Sequence, residues 1–261
     1  MKDAATSRER DIVQAVGRGL DVLRVFGTER RALSVTEVAS LTGITRSAAR
    51  RFVLTLEHMG HLAFDGNAYI VRPAVLEIGD AYILSSGLPE LVHPYLERLA
   101  AENKETASLT VMHDKRIVYV DRVQADRVLT VKIVVGTSLP AYAVATGRML
   151  LADLSDEEID NYLESTELRG FTERSTVAVE ELRSKIHEAR ENGWALVDQE
   201  LSDGVRSIAV PIRCPLGRAI AVLNVSAQSN RVTLEHLRTA TLATLQAAAT
   251  EIEADLKASS R

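Results

Sequence analysis

Leu33-Ser-Val-Thr-Glu-Val-Ala-Ser-Leu-Thr-Gly-Ile44, followed by Thr45-Arg-Ser-Ala-Ala-Arg-Arg-Phe-Val-Leu-Thr-Leu-Glu-His-Met59, is the stretch that decides the fold of this 261-residue chain. Ser34 and Glu37 stand three apart before an apolar run. At that spacing a serine accepts from the first-turn backbone while the glutamate reaches back. Val35, Val38 and Leu41 form the stripe, and Gly43 suits the left-handed residue past a helix end. Thr45 is the next cap, and residues 46–59 read as a second helix ended by Gly60. Ala48, Phe52, Leu56 and Met59, with Val53, are expected to bury inward, leaving Arg46, Ser47, Arg50 and Arg51 outside. Two short helices with a tight turn, the second basic at its start, make a helix-turn-helix pattern whose second helix suits a major groove.

Working outward, residues 11–26 carry Val13, Val16, Leu20, Leu23 and Phe26 at helical spacing. Residues 62–71 read as two short strands around Asp65-Gly66, a hairpin signal. Three helices and a hairpin spell a winged helix-turn-helix over residues 1–72. An arginine at the start of the second helix offers a fork to guanine O6 and N7, and Ser or Thr reaches a base edge or phosphate. Arg46 and Arg50 are the expected base contacts. Thr45, Ser47, Arg51 and Arg18 are expected on phosphate or base, with Thr36 beside them on the preceding helix. Residues 1–72 hold eleven Lys/Arg against eight Asp/Glu, so they carry +3 and the remainder carries −8 of the net −5. A basic head on an acidic body fits a polyanion-binding module joined to one with another task.

Pro73 opens a linker helix over residues 73–88, and residues 89–261 form the second domain. After an amphipathic helix at 89–103 the period changes to two, with strands expected at 107–113, 116–122 and 128–134. A loop at 136–140, an apolar helix at 143–152 and acidic helices at 156–165 and 179–191 follow. Strands at 193–198, 207–213 and 219–227 precede a long helix at 233–256. That order argues for an α+β domain with an antiparallel sheet, not a doubly wound one.

Composition narrows the function. With 46% hydrophobic and 26% charged residues the chain can bury a core. No apolar run approaches the ~18 residues of a membrane helix, and the first residues lack the apolar core of a secretory signal, so a soluble cytoplasmic protein is expected. The single Cys214 makes no internal disulfide, and no Cys/His cluster suggests a metal. Nucleotide loops, nucleophile elbows and zinc-protease motifs are missing, so neither an enzyme nor a cofactor is expected. A carboxylate-processing enzyme with a DNA-binding head, using Asp198 and Glu200 as acid and base, is the rival reading. Residues 136–152 set a loop and small residues before an apolar helix, where N–H groups at 143–146 can hold a carboxylate. Ser207, with Asn224 and Ser226 alternating onto one face, adds orienting polar groups to an apolar cup.

Several segments together resemble the isocitrate lyase regulator (IclR) family of bacterial transcription regulators, over residues 12–256. They are Val13-Gln-Ala-Val-Gly-Arg-Gly-Leu-Asp-Val-Leu23, the helix-turn-helix, Leu139-Pro-Ala-Tyr-Ala-Val-Ala-Thr-Gly-Arg-Met-Leu-Leu-Ala152, Gly193-Trp-Ala-Leu-Val-Asp-Gln-Glu200 and Gly204-Val-Arg-Ser-Ile-Ala-Val-Pro-Ile212. The resemblance implies a winged helix, a linker helix and a GAF/profilin-like effector domain. It also implies homodimers or homotetramers on palindromic double-stranded operators, acting as repressors, activators or both. By the same resemblance the effector site falls on Val128, Val131, Leu139, Tyr142, Ala145, Thr146, Gly147, Val197, Asp198, Val205, Ser207, Asn224 and Ser226. Two positions depart from the family pattern. Val197 stands where an Asp or Ser is usual, which makes the pocket less polar than one for glyoxylate. Arg213-Cys214 replaces an aromatic or His followed by Asp or Asn. The segments look most like the branch that regulates aromatic-acid catabolism through the β-ketoadipate pathway. The implied effector is a small carboxylate such as protocatechuate, β-ketoadipate or a related aromatic or dicarboxylic acid, with a 2-oxo acid such as glyoxylate or pyruvate as the alternative.

Overall fold

The capping box at Ser34 forms: its Oγ accepts from the Glu37 N–H at 3.3 Å while its own N–H donates to the Glu37 carboxylate at 2.8 Å. The Ser34 N–H and the Ser34 hydroxyl both donate to the Glu37 carboxylate and, joined by a bond from Arg31, hold that carboxyl down at about 2. The structure, a computed structural model, describes residues 13–29, 31–125 and 133–259, in two units that divide between Leu84 and Ser85.

The first unit contains α1 (Gln14–Glu29), α2 (Val35–Thr42), α3 (Arg46–His58) and a hairpin of β1 (Leu62–Phe64) and β2 (Tyr69–Val71). Gly43 takes the left-handed conformation (φ +68°) after α2, and the Thr45 hydroxyl caps α3 by accepting from the Ala48 N–H at 3.2 Å. The hairpin turn is held by Asp65, whose carboxylate accepts from the Asn67 and Ala68 N–H groups. Leu33 and Tyr69 exchange backbone hydrogen bonds, which ties the hairpin to the chain entering α2. Val22, Phe26, Val38, Ala49, Val53 and Leu56 are the buried centre of this unit.

Two expectations for this unit need correction. The first helix runs on through residues 27–29 instead of ending at Phe26. On α3 the covered stripe is Ala49, Val53 and Leu56, whereas Ala48 and Phe52 are only half-buried and Met59 is 59% exposed. The helix carries two apolar lines one residue apart, and α1 and α2 cover the line with the smaller side chains. The other line faces an open apolar groove shared with Val16, Leu20 and Leu23 of α1.

A short 3₁₀ turn at Pro73–Val75 leads into α4 (Leu76–Ser86), within which the division between the units falls. The second unit contains α5 (Leu88–Asn103), β3 (Thr106–His113), β4 (Arg116–Val123), β5 (Ser138–Pro140), α6 (Ala145–Leu151), α7 (Asp156–Glu164), α8 (Val179–Asn192), β6 (Ala195–Asp198), β7 (Val205–Arg213), β8 (Ala219–Gln228) and α9 (Leu242–Ser259). The six strands form one antiparallel sheet in the order β5-β4-β3-β8-β7-β6. Leu96, Leu99, Leu245 and Ile252 of α5 and α9 pack on one face, against Leu109, Ile208 and Leu223. The other face is covered by α6, α7 and α8 through Met149, Leu151, Ile159 and Ile186.

The strand expected at 128–134 lies outside the described residues except for Ile133 and Val134, which lead into a turn: the Thr137 N–H donates to the Val134 carbonyl at 3.0 Å. The expected loop at 136–140 contains β5. The C-terminal helix is not uniform, because Leu237–Thr241 winds as a π-helix between Leu234–His236 and α9.

Candidate DNA-reading face and effector cavity

In the first unit, Arg46, Ser47 and Arg50 lie in the first turns of α3, all exposed, with Thr36 exposed on α2. The ion pairs among the described residues of this unit join Arg24 to Asp21 and Arg31 to Glu29 and Glu37, so none engages Arg46, Arg50 or Arg51. Cations left without carboxylates on one helix are the footprint of a polyanion site. Thr45 spends its hydroxyl oxygen on the cap. Arg18 and Arg51 sit apart from the leading turn, at the rim of the apolar groove, and Arg18 reaches the Gln14 side chain at 3.5 Å.

The second unit's cavity follows from strand register. Residues directly opposed across an antiparallel ladder share a face. Val197, Ser207, Ser226 and Thr106 make one row across β6, β7, β8 and β3. Ala209, Asn224, Ser108 and Arg122 make the next, and Val222, Thr110 and Tyr119 the third. This face meets Ala145 and Thr146 at the start of α6, enclosing a cavity with an empty volume of about 500 Å³ that includes its open mouth. Its walls are mostly apolar (Ile133, Val144, Val197, Leu201 and Val205), with Arg122, Tyr119, Thr146, Ser207, Asn224 and Ser226 as the polar points.

Arg122 reaches this face because of a β-bulge. Leu109 pairs with Asp121 but Thr110 with Tyr119, which leaves Val120 unpaired and switches the alternation of β4. A bulge re-aims the side chains beyond it. Asp121 accordingly turns to α5, where it meets His93 at 2.8 Å, and Arg122 joins Tyr119 at the cavity. The guanidinium contacts the Ser108 hydroxyl only at 3.4 Å, and its Nε is buried with no partner among the described residues. Burial pulls the Arg122 guanidinium below its ordinary range, with Tyr119 opposing, and pushes the Tyr119 phenol up to about 12. The Thr146 hydroxyl, the Asn224 carbonyl oxygen and the Thr110 hydroxyl are likewise buried without a partner among the described residues, while the Asn224 amide donates to Ser226 at 2.9 Å. Buried polar groups are nearly always satisfied. Three unsatisfied ones on the sheet face, one of them cationic, and a fourth on α6 suit a small anionic ligand with hydrogen-bonding edges.

Ala145, Thr146, Val197, Val205, Ser207, Asn224 and Ser226 therefore meet at the cavity, and Val128 and Val131 lie outside the described residues. Four other expected residues are placed elsewhere. Tyr142 is buried, its hydroxyl accepting from the Arg169 N–H at 2.8 Å and donating to the Arg169 carbonyl at 3.0 Å. Gly147 is a packing position, where a Cβ would lie 2.1 Å from the Ala141 carbonyl oxygen. Leu139 packs on the α6–α8 core, and Asp198 pairs with Arg206 at 2.8 Å. Sequence reasoning had named the backbone at 143–146, which lines the cavity, but missed Tyr119, Arg122, Ile133 and Leu201. The signal within reach was the charged pair Asp121-Arg122 near the end of a strand whose middle, Ile117–Val120, is apolar.

Glu200 lies in a buried ion pair, with Arg148 contributing both terminal nitrogens at 2.9 and 2.6 Å and the Thr176 N–H donating at 3.0 Å. Burial raises the Glu200 carboxyl, but Arg148 and Thr176 outweigh it and hold the group at about 2. Among the described residues no cluster of His, Cys, Asp and Glu could hold a metal ion, and no helix is long and apolar enough to cross a membrane.

Residues 15–66 match the IclR helix-turn-helix domain and residues 80–254 the C-terminal domain of the bacterial transcriptional regulator IclR. The Pca regulon regulatory protein of Pseudomonas putida is 36% identical over 249 residues, covering 95% of this chain and 86% of that protein. Among solved structures, a candidate transcriptional regulator from Rhodococcus sp. RHA1 has a TM-score of 0.82 at 42% identity, over 95% of this chain and 99% of the other. The inducer-binding domain of the Acinetobacter PobR transcription factor, a double mutant in complex with 3-hydroxybenzoic acid, has a TM-score of 0.61 at 30% identity, over 63% of this chain and 97% of that domain. With both domain matches in chain order and full-length relatives of the same kind, this chain belongs to the IclR family of bacterial transcriptional regulators.

Proposed function

We propose that this regulator acts in the cytoplasm, binds palindromic operator DNA as a homodimer or homotetramer, and is switched by a small aromatic carboxylic acid held in the cavity between the sheet and α6. The observation that carries the ligand class is Arg122, a part-buried guanidinium without a carboxylate partner among the described residues. An unpaired charge out of water is costly unless a counter-charge arrives, and a carboxylate supplies one with matching fork geometry. The apolar walls, including Val197, suit a ring better than the body of glyoxylate or pyruvate. The aromatic acid in the PobR domain complex and the Pca-regulon relative agree with this choice.

No catalysis is assigned to the cavity. Asp198 and Glu200, the pair an enzyme would use, are each committed to an arginine. On the DNA side, Arg46 and Arg50 read bases, with Ser47 and Thr36 on the backbone or base edges. A second copy covers the apolar groove of α1 and α3, which brings two reading helices to successive half-sites about one helical turn apart. The helix α4 carries the ligand's effect by changing that spacing, and the ligand needs to distinguish two arrangements by about 1–3 kcal/mol.

Calorimetric titration of the full chain with 3-hydroxybenzoate, protocatechuate and glyoxylate tests the ligand class. Saturable binding of an aromatic acid at least about tenfold tighter than glyoxylate is expected, a difference of 1.4 kcal/mol. Tighter binding of glyoxylate, or binding of none of the three, overturns the assignment.

A further inference from the structure

A second cavity lies along the open edge of the sheet in the same unit, outside the effector site. Its empty volume is about 710 Å³, counting its mouth, and its wall is the edge strand β6 together with α8 and the π-helical turn. An edge strand presents unpaired backbone N–H and C=O groups. The π turn Leu237–Thr241 buries Leu237 and Thr241 and leaves Arg238 exposed at this cavity. Such single-turn π segments occur often at functional sites.

The charges here sort into engaged and free. Arg148 and Glu200 at the floor satisfy each other, Lys185 reaches Glu181 and Glu200, and Asp198 is paired with Arg206. Arg238 on the π turn and Glu188 on α8 make no ion pair with any described residue. The indole of Trp194, with Leu196 and Leu234, gives the same cavity an apolar patch. A free cation, a free carboxylate and an apolar wall in one cavity match a molecule carrying both charges on a short apolar body.

We propose that this cavity is a second small-molecule site that takes an apolar α-amino acid, its carboxylate on Arg238, its ammonium on Glu188 and its side chain against Trp194. The site goes beyond the aromatic-acid switch and does not depend on it. It shares β6 and α6 with the first cavity: Val197 and Thr146 line one, Asp198 and Arg148 the other.

Trp194 is the chain's single tryptophan, so its emission reports on this cavity. The full chain is titrated with L-leucine, with isoamylamine, which lacks the carboxylate, and with 4-methylpentanoate, which lacks the amine. A saturable emission shift with leucine is expected, each single-charge analogue binding at least about tenfold more weakly. Arg238→Gln and Glu188→Gln, both at exposed positions, are each expected to weaken leucine by about tenfold, while circular dichroism and thermal melting stay as in the parent chain. Three results overturn the proposal: no saturable shift with leucine, equal affinity for either analogue, or unchanged leucine affinity in either variant.

Discussion

Replacing Arg122 by Met removes the positive charge at the cavity while keeping a long apolar side chain. Among the described residues the guanidinium makes only the 3.4 Å contact with Ser108, so the ligand-free protein has little to lose. The cost of keeping a cation partly out of water disappears as well, so unfolding stability is expected to stay level or rise by up to about 1 kcal/mol. Ligand binding moves the other way. A charge-assisted hydrogen bond contributes about 1.5–3 kcal/mol, and a bidentate carboxylate makes two, so at least about 3 kcal/mol is at stake. That corresponds to a loss of roughly 100-fold in affinity. Isothermal titration with 3-hydroxybenzoate gives the affinity, and urea unfolding without ligand gives the stability. Arg122→Lys keeps the charge but not the fork and should fall between. A loss of acid affinity smaller than about threefold refutes the anchor. Destabilisation of the ligand-free chain by more than about 2 kcal/mol refutes the premise that Arg122 lacks a structural partner.

Other expectations follow from the same geometry. Arg46→Ala should weaken operator binding by about 1–3 kcal/mol and relax preference at one base pair, seen in a gel-shift titration against single-site operator variants. A uniform loss across all sequences would make it a phosphate contact instead. Gly147→Ala drives a Cβ to 2.1 Å from the Ala141 carbonyl oxygen, so thermal melting should show the second unit destabilised by about 3 kcal/mol or more. Glu200 sits at about 2 when folded, below its ordinary 4.5. Its stabilisation is therefore present above the ordinary value and is lost as pH falls towards 2, and it amounts to about 3 kcal/mol. Glu200→Gln should flatten the pH dependence of unfolding across that window, and an unchanged slope would show that the pair does not stabilise the fold.

Local features were legible in the sequence because contacts a few residues apart determine them. The Ser34 cap and the Asp65 turn needed only neighbouring residues. Alternation placed Ser207, Asn224 and Ser226 together because β7 and β8 pair without a shift over that stretch. The same counting failed on β4. From Ile117 a period of two sends Tyr119 and Asp121 to one face and Arg122 to the other, and only the pairing with β3 reveals the unpaired Val120. Pairing is a property of two distant segments, and nothing local announces it. On α3 the apolar lines through Ala49 and through Ala48 have the same period. Which one is covered depends on how α1 and α2 pack, and the larger Phe52 and Met59 drew the reading to the open side. Gly147 and Tyr142 lie in the segment most suggestive of a ligand site, yet both serve the packing around α6.

In the proposed switch, an acid bound to the second unit alters the grip of the first on DNA. Fluorescence anisotropy with an operator fragment from upstream of the protein's own gene, at fixed salt, with and without saturating 3-hydroxybenzoate or protocatechuate, tests it most directly. The expected result is operator binding whose dissociation constant changes by about 5- to 150-fold with the acid, in either direction, and no longer changes in Arg122→Met. Operator affinity that is the same with and without an acid shown to bind would contradict it.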